Sequence, residues 1–376
     1  MRRNQLSLME HFADLPDPRI DRTKHHLLLD IIVLSICAVI AGAEGWEDIE
    51  EFGKQKHEWL KTFLRLPNGI PSHDTINRVF RLLKPEQFQE CFLRWIETLH
   101  EELGLKRIAI DGKTVRRSFD RASAKNALHL VSAWSVENHL TLGQVAVDEK
   151  SNEITAIPKL LELLELKGAI VTIDAMGCQK DIAQKIIDGG GNYVLTVKDN
   201  QPTLHAALQE HFLQLHESDF QDGDCRRHTT HEKIHGRVEE RRYFSAPLPE
   251  MLAKLAEEWP GLKSISQVIA FTERDGKQTY EVRYYISSLP ARVKQFAQIT
   301  RGHWGIENSL HWVLDVTFDE DRSRIRKDHG QENFAILRRM AISLIKQDTS
   351  KGSIRRKRKR AGWNNDALLN IITTTR

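Results

Sequence analysis

Two short apolar stretches, each running into an aspartate, constrain this chain more than any other feature. Arg107-Ile108-Ala109-Ile110-Asp111-Gly112-Lys113 is the first, and Ala169-Ile170-Val171-Thr172-Ile173-Asp174-Ala175-Met176-Gly177 the second. Their β-branched residues suit buried strands. In both, the acid falls where the strand is expected to emerge into a glycine-containing turn. A carboxylate there escapes the apolar layer yet stays rigidly held. If the two strands are neighbours in one sheet, the acids come close enough to share divalent cations, as phosphoryl transfer on two metal ions requires. A third acid must then come from elsewhere in the chain, and Glu307 is the candidate.

The pattern around these strands predicts their neighbourhood. Leu128–Val136 and Leu140–Val147 flank Glu137-Asn138-His139 and read as a hairpin. Glu153–Leu166 reads as an amphipathic helix. The Asp174 strand follows, then a helix over about 178–187 stopped by Gly189-Gly190-Gly191, then a strand over Asn192–Val197. Strand, hairpin, helix, strand, helix, strand is the order of a ribonuclease-H-like α/β sheet, and it makes the two acid-bearing strands neighbours. The expected fold class is therefore α/β, a ribonuclease-H-like catalytic core with a β-rich insertion, preceded by an N-terminal helical domain. The expected divisions are 1–100 (helical), 101–199 (first part of the core), 200–295 (insertion), 296–348 (returning helices with Glu307) and 349–376 (basic tail). β-like pieces in the insertion fall at Arg241–Phe244, Ser264–Thr272 and Thr279–Ser287.

In the N-terminal part, Pro16-Asp17-Pro18 breaks the chain before an apolar stretch, and Trp46–Leu66 carries apolar residues at helical spacings. Ser72 is placed to cap a further helix bearing Arg78 and Arg81. These helices either contact DNA or only pack on the next domain. Ile31–Ala43 lacks any charge over thirteen residues. At ~1.5 Å per residue it spans roughly 20 Å as a helix, short of the ~30 Å hydrocarbon layer, so a buried helix is expected and no membrane partner. Cys37, Cys91, Cys178 and Cys225 are far apart with no CxxC pair, which suits a reducing compartment. The first residues lack the apolar centre of a signal peptide, and a cytoplasmic location is expected.

The third acid lies in Arg301-Gly302-His303-Trp304-Gly305-Ile306-Glu307-Asn308-Ser309-Leu310-His311-Trp312. On a helix, His303, Glu307 and His311 share one face, with Ile306 and Leu310 as the adjacent apolar stripe. Magnesium prefers hard oxygen ligands, which carboxylates supply. Asp315, Asp319, Glu320 and Asp321 are a rival source of the third carboxylate. Their interleaved Arg322, Arg324, Arg326 and Lys327 suggest a surface salt-bridge network instead. Cys225, His228, His231 and His235 have zinc-ligand types, but Arg226 and Arg227 intervene and no second cysteine pair exists, which argues against zinc. The net charge is only +3, yet seven of the ten residues 351–360 are basic, including the unbroken run Arg355-Arg356-Lys357-Arg358-Lys359-Arg360. Such a run is expected to be solvated and to meet a polyanion.

The segments around Asp111, Asp174 and Glu307, together with Tyr193-Val194-Leu195-Thr196-Val197-Lys198-Asp199-Asn200-Gln201, resemble DDE transposases of bacterial insertion sequences, and above all the H-repeat-associated group. The resemblance extends over most of the chain, from Asp14 through Phe80 and into the C-terminal Arg-Lys stretch. It implies that Asp111, Asp174 and Glu307 are the catalytic triad and hold two Mg2+ or Mn2+ ions. It implies strand cleavage at the element ends followed by strand transfer into target DNA. The implied partner is double-stranded DNA, bound by a homodimer. The alternative is a catalytically silent DNA-binding relic or regulator with the same fold. In the wider clan the glutamate helix carries a tyrosine, an arginine and a lysine where this chain has Thr300, His303 and Leu314, so those DNA contacts do not transfer. Candidate DNA-binding residues are instead Lys113, Lys198, Arg301, His303, His311 and the run Arg355, Arg356, Lys357, Arg358, Lys359 and Arg360.

Overall fold

The computed structural model describes residues 3–98, 107–119, 126–147, 152–221, 223–234, 237–274 and 276–373. The chain starts with the helices α1 (Arg3–Ala13), α2 (Leu28–Ala41), α3 (Trp46–Gln55), α4 (His57–Leu60), α5 (His73–Leu82) and α6 (Pro85–Thr98). The uncharged stretch forms α2, and Ile31 through Ile40 are buried as expected. Asp30 is buried with them, but its carboxylate accepts the backbone N–H of Leu66 at 2.8 Å and of Arg65 at 3.3 Å. A buried acid is tolerable only when hydrogen-bonded in this way. Ser72 caps α5 by accepting the Thr75 N–H at 3.3 Å. Among the described residues no single helix is long and apolar enough to cross a membrane.

The α/β part begins with β1 (Arg107–Thr114), β2 (His129–Ser135), β3 (Leu140–Ala146), α7 (Glu153–Glu162), β4 (Ile170–Ile173), α8 (Lys180–Asp188) and β5 (Asn192–Val197). It continues with α9 (Pro202–Glu217), β6 (Arg226–Ile234), β7 (Arg237–Pro247), α10 (Ala253–Ala256), β8 (Ser264–Arg274) and β9 (Lys277–Ser287). β1, β4 and β5 are parallel to one another, and β1, β2 and β3 form an antiparallel meander.

Residues 226–287 do not make a separate sheet. β9 pairs antiparallel with β5, from Val194↔Ser287 to Val197↔Tyr284, so a single nine-stranded sheet runs in the order β3-β2-β1-β4-β5-β9-β8-β7-β6. The expected insertion is thus an extension of the core sheet. Its outermost strand, β6, reads Arg-Arg-His-Thr-Thr-His-Glu-Lys-Ile, a charged edge of the kind that discourages further strand pairing.

Helices α11 (Val293–His303), α12 (Trp312–Thr317), α13 (Gly330–Gln347), α14 (Ile354–Trp363) and α15 (Asn365–Thr373) complete the chain, with a π-helical turn over Glu307–His311 ahead of α12. The N-terminal and C-terminal helices share one core, in which Ile36, Phe80, Phe334, Met340 and Leu368 are buried together. Asn333 in α13 fastens them further, donating to the carbonyls of Phe80 at 2.7 Å and Leu83 at 2.8 Å. The basic tail is a helix packed on this core, contrary to the expected solvated run. Within α14, Arg355, Arg356 and Lys359 are exposed, while Lys357 and Arg358 are buried. Arg358 donates to the carbonyls of Thr317 and Val39 and lies 3.9 Å over the Phe318 ring. Lys357 reaches the Asp348 and Ile345 carbonyls. Carbonyls at helix ends accept these cations, so their charge points inward.

Candidate active site

Strand alternation decides which way the two aspartates face. Ile108 and Ile110 of β1, with Val171 and Ile173 of β4, pack against Ile157 and Leu160 of α7 and Ile182 and Ile186 of α8. Ala109 lies on the opposite face, in one core with Ile306 and Leu310. Thr172 lies there too, with its hydroxyl 2.9 Å from His303 Nδ1. Side chains two residues apart share a face, so Asp111 and Asp174 point toward the helical segment that carries Glu307.

The last residues joining the two strands are Ile110 and Ile173, and the aspartates occupy the next position on each. β4 ends there and turns into a short 3-10 turn over Ala175–Gly177. β1 does not turn at Gly112 as expected; it runs on to Thr114, paired with β2. Asp111 therefore sits where the central strand loses its parallel neighbour. A pocket of about 180 Å³ opens at this point, lined by Asp111, Asp174 and Glu307 together with Thr172, Lys198, Arg283, His303 and Trp304. It shares Arg283, Tyr285, Thr300, Trp304 and Glu307 with a basin of about 1000 Å³ along the outer strands.

The pocket gathers three carboxylates, with Lys198 and Arg283 among the residues around them. Burial, then the charges of Glu153 and Asp111, push the Asp174 carboxyl up to about 6. Glu307 is exposed at the mouth, yet partial desolvation and the Asp111 charge raise its carboxyl above the usual range. Among the described residues no lysine or arginine forms an ion pair with Asp111, Asp174 or Glu307; His311 approaches Asp111, with Nδ1 3.4 Å from Oδ2. The donor set, hard carboxylate oxygens, fits a divalent cation. As the side chains stand, no three His, Cys, Asp or Glu among the described residues are grouped closely enough to enclose one.

Residues 102–344 match the family described as the transposase DDE domain, and residues 9–96 match the region described as DDE_Tnp_1-associated. The chain belongs to the DDE transposase family. It is 44% identical over 370 residues to the "H repeat-associated putative transposase YhhI" of Escherichia coli strain K12, covering 97% of each chain. It is also 44% identical over 372 residues to the "Putative transposase YncI" of Escherichia coli O157:H7, covering 98% of this chain and 95% of that one. A third relative, the "Inactive transposase YbfQ" of strain K12, is 56% identical over 72 residues, 19% of this chain and 86% of its own.

The other candidate residues of this transposase divide sharply. Lys198 is exposed at the rim of the acid pocket. Lys113 is not available to DNA: its side chain is buried, with Nζ 2.6 Å from Asp315 and 3.3 Å from Asp321. The acidic cluster that rivalled Glu307 is a salt-bridge network only partly at the surface: Asp319 pairs with exposed Arg322 at 3.5 Å, whereas Glu320 is fully buried against Arg339 at 3.0 Å. Arg301 is held by Glu232 through two hydrogen bonds of 3.1 and 2.5 Å. His303 is recessed, with desolvation holding its imidazole below the usual range and its Nδ1 2.9 Å from the Thr172 hydroxyl. Of the positions where the clan's contacts would lie, Leu314 is fully buried, while Thr300 is buried but lines both cavities. In the cysteine–histidine set, His228 stacks on Tyr243 and His231 faces Glu240 at 3.5 Å, while His235 lies outside the described residues.

Sequence reasoning missed two residues. Arg283 lines both cavities, with its guanidinium 4.4 Å over the Trp304 ring. Trp304, also in both cavities, stood inside the quoted glutamate motif without a role.

Proposed function

We propose that this transposase is a metal-dependent polynucleotidyl transferase with a ribonuclease-H-like core, in which Asp111, Asp174 and Glu307 are the catalytic acids. The observation that carries this reading is the placement of Asp111 and Asp174 one residue beyond the last pair of two parallel strands, in one pocket with Glu307. The three carboxylates would hold two Mg2+ or Mn2+ ions. Bound there, such ions supply Lewis acidity to the attacking hydroxyl or water and to the leaving oxygen.

The protein's own groups do the rest. Lys198 at the rim contacts a phosphate and fixes the backbone of the cleaved strand. Arg283, stacked on Trp304 and held by Glu281 through two hydrogen bonds of 2.7 and 2.6 Å, forms the wall where the acid pocket meets the basin. The basin receives the flanking duplex, and exposed Arg355, Arg356 and Lys359 add phosphate contacts. The substrate is double-stranded DNA at the element ends, cut on one strand, after which the 3′-hydroxyl attacks target DNA. Residues 101–199 and 296–348 serve as the catalytic core, 200–295 as its sheet extension, and 1–100 as a DNA-contacting module through exposed Arg78. The active species on DNA is a homodimer in the cytoplasm.

The test is incubation of purified protein with duplexes carrying the DNA that flanks its gene, with Mg2+, Mn2+ or EDTA. Nicking at the element ends and joining to a second duplex are expected only with metal. Cleavage indifferent to end sequence would point to a general nuclease. Binding without cleavage under any metal would favour the silent relic, a reading that the name of the inactive relative keeps in view.

A further inference from the structure

Glu232 on β6 and Glu239 on β7 are directly opposed in the sheet, and both line the basin. Like charges so placed repel one another. Three arginines of the same basin hold them there. Arg241 joins the two acids, pairing with Glu239 and standing 3.8 Å from Glu232. Arg237 stands 3.3 Å from Glu239. From α11, Arg301 Nε and Nη2 donate to Glu232 Oε1 and Oε2 at 3.1 and 2.5 Å. The end of this network on α11 is the end open to solvent. The Arg241 and Glu239 side chains are 12% and 10% exposed, whereas Arg301 and Glu232 are 37% and 30% exposed. An anion entering the basin can therefore reach Arg301. A guanidinium fork meets phosphate oxygens in the same two-pronged geometry as carboxylate oxygens. A half-exposed ion pair also contributes little stability, so exchanging one anion for the other costs little.

We propose that Glu232 holds the seat of a DNA phosphate, so that Arg301 is a phosphate-binding residue kept occupied until substrate arrives. A backbone phosphate of the duplex displaces the Glu232 carboxylate and takes both prongs of Arg301, while Arg241 stays beside Glu232 to offset its charge. Glu239, pinned between two arginines and buried, does not move. The proposal rests on the reading that the basin receives duplex DNA.

The test is fluorescence anisotropy of the full-length protein on a labelled duplex of random sequence across a salt series. Variants are Glu232→Gln, Arg301→Gln, the two combined, and Lys277→Gln at an exposed lysine of the basin, each checked for cooperative thermal unfolding. Glu232→Gln is expected to tighten binding about twofold to fivefold, the worth of a half-exposed ion pair. Arg301→Gln should weaken binding and lower the log–log salt slope by ~0.9, one phosphate contact. Combined with Arg301→Gln, the Glu232 substitution should bring no gain. A gain of the same size in the combined variant would make Glu232 merely a negative charge near DNA. Weaker binding by Glu232→Gln would make it a permanent support of Arg301. Either result overturns the inference. If Lys277→Gln lowers the slope and Arg301→Gln does not, the inference fails alone. If neither changes affinity or slope, the duplex does not lie in the basin and the reading beneath fails as well.

Discussion

Lys113 Nζ lies 2.6 Å from Asp315 Oδ1, which ties the strand bearing Asp111 to the helix that follows Glu307. The lysine side chain is 7% exposed, and Asp321 and buried Glu320 stand 3.3 and 3.9 Å from the same nitrogen. Two acids of the pocket are thereby fixed relative to each other through charges outside the pocket lining. Removing the lysine leaves Asp315 without its cation in a partly desolvated position, while Glu320 keeps Arg339 at 3.0 Å and Asp321 keeps Arg116 at 3.3 Å. Lys113→Met is expected to cost about 3–5 kcal/mol of stability, read from urea unfolding. A loss below roughly 1 kcal/mol would place the pair among ordinary surface ion pairs.

Asp174 makes the metal-free protein sensitive to pH. Its folded-state value of about 6 exceeds the ordinary 3.8, so the folded protein holds the proton more tightly than the unfolded chain. Its contribution favours folding at low pH and is lost as pH rises through that window, reaching a penalty of up to roughly 3 kcal/mol at ~1.4 kcal/mol per unit. Asp174→Asn should therefore stabilise the protein in EDTA at about pH 7.5 and much less at about pH 4. Equal effects of the substitution at both pH values would show that the carboxyl is not desolvated.

The basic run should behave as two groups. Neutralising exposed Arg355, Arg356 and Lys359 is expected to weaken cognate and random DNA binding alike and to lower the log–log salt slope by up to about 3, at ~0.9 per phosphate. Fluorescence anisotropy across a salt series reads this directly. A selective loss of cognate binding would make these residues sequence readers instead. Arg358→Ala should leave the slope unchanged and destabilise the fold by about 2 kcal/mol or more, since it abandons buried carbonyls.

The sheet from β1 to β5 was legible because β-branched runs and a three-residue hairpin loop leave a local pattern. Asp111 and Asp174 stood at the ends of such runs and Glu307 on a helical spacing with His303 and His311, and one pocket is lined by all three acids. What escaped notice depends on distance along the chain. Lys113 finds Asp321 across 208 residues, so a basic residue beside an active-site strand read as a DNA contact. The run at 355–360 read as solvated because like charges repel, yet Val39, 319 residues from Arg358, supplies a carbonyl that turns that residue inward. β6 has no apolar alternation to betray it, since a charged edge strand needs none.

The most direct measurement is the rate of single-strand nicking at the element ends in Mg2+ by the unsubstituted protein and by Asp111→Asn, Asp174→Asn and Glu307→Gln, with DNA affinity measured in parallel. Each substitution is expected to reduce nicking by about a thousandfold or more, a loss of roughly 4 kcal/mol of transition-state stabilisation, while affinity for the ends stays within a few-fold. Retention of nicking by all three variants, or by Glu307→Gln alone with loss in the other two, would contradict the assignment of these acids as one catalytic set.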